Sequence, residues 1–236
     1  MFSRPVLKRT AKVEGESPFW ISFSDLMSAL MVLFLVVMAV TLIAVTKSVT
    51  AEEEAKIRRE KDIKGVMALI NRESLKKNVQ VDDVTYKIDL GEIVRFDSGS
   101  YVIKPEAARF LRDYVPVLLE AKNSPEGQKW MRRIVVEGYT DTDGTYLYNL
   151  RLSQDRSRNV VCELFAVPST GEAPLTQSQL RQIQDLFLVG GYSFNTSVVV
   201  DKAAARKVEL KIEFWGQDEA RPQKNDQLNV KEFGKC

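Results

Sequence analysis

Between Glu16 and Lys47 the chain carries one charged residue, Asp25. It stands at the entrance to a run of apolar side chains, Leu26 to Val45, that holds no other ionisable group. A carboxylate in hydrocarbon costs about 3 kcal/mol or more unless it faces water, a partner helix or an ion. Two readings are open. Asp25 is either an interfacial residue that caps a helix after Ser24, or a carrier that takes up and releases a proton or cation. A carrier needs a partner subunit, because one span alone cannot enclose a path. Ser22, Ser24 and Ser28 could add hydroxyls to such a path, or bond only their own backbone. Absences bound the remaining chemistry. The 236 residues contain no His, which removes Ser-His-Asp and Cys-His catalysis, His-ligated zinc and imidazole acid–base work. The 2 Cys cannot build a four-thiolate metal centre within one chain. Any enzyme here would work with carboxylates, Lys, Tyr or a cofactor. Lys and Arg number 34 against 32 acids, a formal charge of +2, which argues against a dedicated nucleic-acid binder.

The apolar run must be positioned by a helix. About 20 residues at roughly 1.5 Å each span a hydrocarbon core of about 30 Å. Arg4, Lys8, Arg9 and Lys12 precede it, as in a secretory signal, but the run is too long for a signal core and no small-x-small cleavage site follows. A retained single-span anchor over 18–46 is expected, with a tail at 1–17. Lys47, Lys56, Arg58, Arg59 and Lys61 balance the tail's cations, so charge alone does not orient the span. Residues 47–79 read as a charged helical linker. Ile57, Ile63, Val66, Met67 and Ile70 make one narrow stripe along it, which suits either a solvated stalk or a dimerising pair of helices.

A mixed α/β domain is expected over 80–215, followed by a C-terminal tail at 216–236. Val84, Tyr86, Ile88 and Leu90 alternate as a strand. Pro105 opens a helix to Lys122, Arg133 to Glu137 reads as a strand, and a second helix runs from about Ser153 to Phe165. Thr176 with Gln179 is a capping-box signature for a third helix ending near Gly190-Gly191, and Val208 to Phe214 alternate as a last strand. Strands separated by helices predict a mixed sheet with helices on one face.

The stretch Pro18-Phe-Trp-Ile-Ser-Phe-Ser-Asp25-Leu-Met-Ser-Ala-Leu-Met31 resembles the membrane helix of B subunits of ion-driven stator motors, the MotB and PomB type. The resemblance makes Asp25 the ion-carrying aspartate. Asp-Leu-Met-Ser is closer to sodium-type members, yet the ion depends mostly on the partner, so proton and sodium both stand. The segment from Val136 through Gly138-Tyr-Thr-Asp141, Gly144, Asn149 and Leu152-Ser153-x-x-Arg156 resembles the OmpA-like peptidoglycan-binding signature. Phe96-Asp97-Ser-Gly-Ser100 with Pro105, and Arg206-Lys207-Val208-Glu209, match the same family's opening loop and final strand. Ser157, where Ala is usual, and the segment from Pro168 to Val200 depart from it.

Wall peptides present diaminopimelate, an ammonium and a carboxylate on one short carbon. By the resemblance Asp141 accepts from the ammonium and Arg156 forks onto the carboxylate, with Tyr148, Asn149 and Leu152 lining the pocket. From the residues alone, Asp141 and Arg156 could equally form a surface ion pair worth about 0–1 kcal/mol. Asp143 beside Gly144 reads as a turn residue. Peptidoglycan lies outside the inner membrane, so the resemblance places the C-terminal domain in the periplasm and the tail in the cytoplasm. There Cys162 and Cys236 could form an intrachain disulfide or stay as two thiols.

Together these resemblances imply a wall-anchored B subunit, as a homodimer inside a pentameric MotA-like A subunit. They imply contact with membrane lipid and no nucleic acid, no catalytic residue, no metal, and no cofactor beyond the translocated proton or sodium ion. The short tail and linker resemble B subunits of Zorya anti-phage defence motors, whose partner is ZorA, more than flagellar stators. A flagellar stator and a passive OmpA-like tether remain the alternatives.

Overall fold

The computed structural model describes residues 17–90, 93–168, 171–195, 201–221, 233–234 and 236. The expected tail with Arg4, Lys8, Arg9 and Lys12, and most of 216–236, lie outside the described residues. The chain divides into two compact units, one ending at Glu54 and one beginning at Ala55. Helix α1, Ser17–Lys76, contributes to both.

In the first unit α1 contains neither Gly nor Pro after Pro18, and its apolar side chains are exposed on every side, Leu33 at 63% and Phe34 at 66%. A helix apolar all round fits a hydrocarbon surrounding. Among the described residues it is the one helix long and apolar enough to cross a membrane. Its hydroxyls fold back on the helix: Ser28 Oγ donates to the Ser24 carbonyl at 2.8 Å, and Thr46 Oγ1 to Leu42 at 2.8 Å. Ser28 therefore takes the own-backbone role.

The second unit begins with the remainder of α1. Ile63, Val66, Met67 and Ile70 are buried there, in one core with Val79, Ile88, Leu111 and Leu118. The stripe is neither solvated nor kept for a second helix. It closes the domain's own core, and Ile57, nearly two turns before Ile63, stays exposed. Polar links hold the helix in place: Arg59 Nε donates to the Trp215 carbonyl at 2.9 Å, and Trp130 Nε1 to Asp62 at 2.9 Å. Asn78, at φ 61°, then turns the chain, and the Val79 N–H returns to Ser74 at 3.0 Å. Asn tolerates this left-handed stop better than most residues.

Five strands follow: β1 Gln80–Asp82, β2 Lys87–Asp89, β3 Met131–Gly138, β4 Phe187–Gly191 and β5 Val208–Phe214. They pair in the order β1-β2-β5-β3-β4, with β3 and β4 parallel and the other neighbours antiparallel. Ile88, Ile134, Val136, Leu210 and Ile212 point into the core, while Arg133, Glu209 and Lys211 alternate outward. Helices α2 Pro105–Asn123, α4 Tyr146–Phe165 and α5 Gln177–Leu186 pack on the apolar face; short helices α3 Pro125–Trp130 and α6 Lys202–Ala205 complete the unit.

Three elements differ from expectation. The strand expected from Val84 starts at Lys87, because Asp82 accepts from the N–H groups of Val84 and Thr85 and makes a turn of them. Helix α4 starts at Tyr146, two turns before Ser153. The third helix stops at Leu186, and Phe187–Gly191 pairs with β3 as a strand. The expected capping box of Thr176 and Gln179 is in place, and Pro105 opens α2. Gly138 and Gly191, partners in the β3–β4 register, let α4 approach. A Cβ on Gly138 would lie 2.0 Å from the Ser153 carbonyl oxygen, and one on Gly191 2.4 Å from Gln154 Cγ. Cys162 and Cys236 form a disulfide across 74 residues with Cα atoms 5.9 Å apart, and Phe233 stacks edge-on against Phe165 at 5.0 Å.

Candidate functional site

At the C-terminal end of β3 the chain runs through Tyr139, Thr140 and Asp141 into a turn at Gly144, φ 98°, and then into α4. The turn puts Asp141 beside the first turns of α4 and the Phe96–Tyr101 loop. Asp141 is buried. Its Oδ1 accepts the Asp143 N–H at 3.2 Å, and its Oδ2 accepts Arg206 Nη1 at 2.9 Å. Asp143 acts in the turn, as expected, and pairs outward with Lys202.

Arg156, nearly three turns into α4, is fully buried. Its Nε donates to the Ser100 carbonyl at 2.9 Å, Nη1 to Tyr139 at 2.7 Å and Nη2 to Asp97 at 3.2 Å. The guanidinium lies 5.0 Å from the centre of the Phe96 ring. Three of its five N–H groups therefore have backbone acceptors, and two have none among the described residues. Burial lowers its pKa to about 10, with the Asp141 charge opposing the fall, so the cation persists at neutral pH.

No direct Asp141–Arg156 bridge occurs among the described residues; the acid pairs with Arg206 instead. The arrangement is one carboxylate between two guanidinium groups, with the Arg156 charge reserved. It differs from the simple surface pair.

Asn149 donates Nδ2 to the Asp143 carbonyl at 2.8 Å, while its Oδ1 and the hydroxyl of Thr140 are buried without partners among the described residues. Leu152 is buried at the same end of α4. Tyr148 is half exposed, and its ring lies against Gly144 with its hydroxyl at Gly99. A Cβ on Gly99, φ 66°, would sit 3.3 Å from that hydroxyl. Asp141, Tyr148, Asn149, Leu152 and Arg156 thus meet at one end of the second unit. Asp25 belongs to the first unit, on α1, and its side chain is exposed. Ser157 uses its hydroxyl to reach the Gly190 carbonyl at 3.0 Å, clamping α4 to β4. Ser169, Thr170 and residues 196–200 of the divergent Pro168–Val200 segment lie outside the described residues.

Two residues escaped the sequence reading as site members. Thr140 sits inside the Gly-Tyr-Thr-Asp run, and Arg206 inside the final-strand quartet. A second arginine in a signature with one reserved acid was the available signal for Arg206. No group of His, Cys, Asp and Glu suited to a metal ion occurs among the described residues.

On the sheet face away from the helices, Lys87 bridges Glu137 at 2.8 Å and Glu209 at 3.0 Å, and Tyr139 donates to Glu137 at 2.7 Å. Burial by itself would raise the Glu137 pKa. The hydrogen bonds from Lys87 and Tyr139 outweigh it and hold the carboxyl below the usual range.

The OmpA family matches residues 95–168, which hold the turn, α4 and each partner named above for Asp141 and for Arg156 except Arg206. The periplasmic domain of Helicobacter pylori MotB is similar at 16% identity and a TM-score of 0.39, covering 56% of this chain and 78% of that one. Zorya protein ZorB of Escherichia coli strain ATCC 8739 is 23% identical over 234 residues, 87% of this chain and 92% of its own length. Zorya protein ZorB of Escherichia coli O139:H28 is 42% identical over 217 residues, 91% of this chain and 88% of that protein. That identity takes in the apolar helix as well as the OmpA-like unit, and the chain belongs to the Zorya ZorB family.

Proposed function

We propose that this Zorya B subunit is the wall-anchored part of an ion-driven rotary motor, with Asp25 carrying a proton or sodium ion. One observation carries the reading. A single chain joins a membrane-length helix bearing one carboxylate to a buried acid–base site whose cation is kept from its acid. A passive tether has no use for the carboxylate. The second unit sits in the periplasm and the N-terminus in the cytoplasm. A disulfide between Cys162 and Cys236 suits that compartment.

Two copies stand inside a ring of five ZorA-type subunits, in contact with membrane lipid. Asp25 accepts an ion from the periplasmic side and releases it inward. The change in its charge alters its contacts with the ring, which steps around the dimer. Peptidoglycan stops the dimer from turning with the ring. Asp141 receives the ammonium of diaminopimelate and Arg156 the carboxylate, through its two remaining N–H groups. Tyr148 lies over the Gly99 loop and the Gly144 turn, so the peptide reaches the buried guanidinium by moving this ring aside. Rotation serves anti-phage defence.

Phage-infection assays with two variants test the reading. Asp25→Asn should abolish protection while the protein still sediments with purified peptidoglycan. Asp141→Ala with Arg156→Ala should abolish protection together with sedimentation. Full protection by either variant contradicts the half of the reading it removes.

A further inference from the structure

We propose that Arg206 is the positioning residue of the wall-peptide site: it fixes the Asp141 carboxylate that receives the ligand ammonium. The inference rests on the anchoring reading above and concerns a residue outside the matched 95–168 segment. Arg206 Nη1 holds Asp141 Oδ2 at 2.9 Å, while the Asp143 N–H holds Oδ1 at 3.2 Å. Both oxygens are thereby oriented, and each keeps acceptor capacity, because an ionised carboxylate has about four lone-pair sites.

Arg206 also braces the other half of the site. Its Nε donates to the Phe96 carbonyl at 3.1 Å, and the Phe96 N–H donates to the Arg206 carbonyl at 3.2 Å. Phe96 is the ring stacked on Arg156, and the Asp97 and Ser100 carbonyls that grip Arg156 follow it directly. One side chain therefore sets the acid and, through the loop, the cation. Their side chains are 19% and 8% exposed, so the Arg206–Asp141 contact is little screened by solvent. With its charge met by Asp141 and two nitrogens bonded to the protein, Arg206 serves as a brace and leaves ligand contact to its partners.

The position makes a specific demand. Losing Arg206 must weaken recognition of the ammonium more than recognition of the rest of the peptide. Two probes separate these: the tripeptide L-Ala-γ-D-Glu-meso-diaminopimelate, and the same tripeptide with 2-aminopimelate, which lacks the distal ammonium. Binding is measured by calorimetry with the full chain in detergent. The unsubstituted protein should prefer the diaminopimelate probe by about 10- to 100-fold, the range of one charge-assisted hydrogen bond. Arg206→Gln should cut that preference to within about threefold.

An equal loss for both probes, with the preference intact, overturns the inference and leaves the anchoring reading standing. Binding of neither probe, nor of peptidoglycan, by the unsubstituted protein overturns both. If Arg206→Gln alone does not fold, a stranded Asp141 being the cause, Asp141→Asn with Arg206→Gln removes that charge. Against Asp141→Asn, the double variant should show no further change in preference, and a further loss above about threefold contradicts action through Asp141.

Discussion

The bond between Cys162 and Cys236 should be the largest single covalent contribution to the second unit, and its removal has a calculable consequence. It closes a segment of 74 residues. Loop-closure entropy for that length is about −15 cal/mol/K, or about 4 kcal/mol near 25 °C, as an upper value that native relaxation reduces to about 2–4. The bond holds Phe233 against Phe165 on α4, the helix that carries Arg156 and Leu152, so the loss falls on the element that builds the site. For a unit of this size each 1 kcal/mol corresponds to about 2–4 °C. Cys236→Ser should therefore lower the unfolding midpoint by about 5–15 °C. The assay is near-ultraviolet circular dichroism of the full chain in detergent, scanned with and without reductant. Reductant should bring the unsubstituted protein down to the midpoint of the variant and leave the variant unchanged. A midpoint within about 1 °C of the unsubstituted protein refutes the reasoning. So does a reductant effect that persists in the variant.

Two further substitutions test the fold around the site. Ile70→Ala should destabilise the second unit by about 2–5 kcal/mol in denaturant titration, because Ile70 is fully buried in the domain core; a loss under about 0.5 kcal/mol would return the stripe to solvent or a partner helix. Glu137 has a depressed pKa, so its contribution is complete above the ordinary value of 4.5 and is lost as pH falls through the folded value. Glu137→Gln should cost about 1–3 kcal/mol at pH 7 and flatten the decline in stability below about pH 4.5; an unchanged acid limb would exclude Glu137 as its source.

Local patterns carried much of this fold. Pro105 at a helix start, the Thr176–Gln179 box and the alternation from Val208 to Phe214 are decided by residues a few positions apart, and each lies where its pattern put it. The rest was decided at a distance. Phe187-Leu-Val is as apolar as a helix end, and only the parallel partner β3 makes it a strand. Tyr146 and Tyr148 have weak helix preference, and residues Tyr146, Leu147 and Tyr148 are all exposed in α4, so neither propensity nor an apolar face marked this first turn. The stripe at Ile63, Val66, Met67 and Ile70 announced a buried face, but its period says nothing about which surface covers it. The same limit applied to the site. Asp141 and Arg156 were visible as a motif, whereas the partner of Asp141, Arg206, lies 65 residues away and enters through strand pairing.

Ion flux tests the central claim most directly. Vesicles holding the chain with its ZorA-type partner should pass protons or sodium ions down an imposed gradient, and Asp25→Asn should reduce that flux to the level of empty vesicles. Flux through Asp25→Asn equal to that of the unsubstituted complex, with either ion, would contradict the assignment of Asp25 as the carrier.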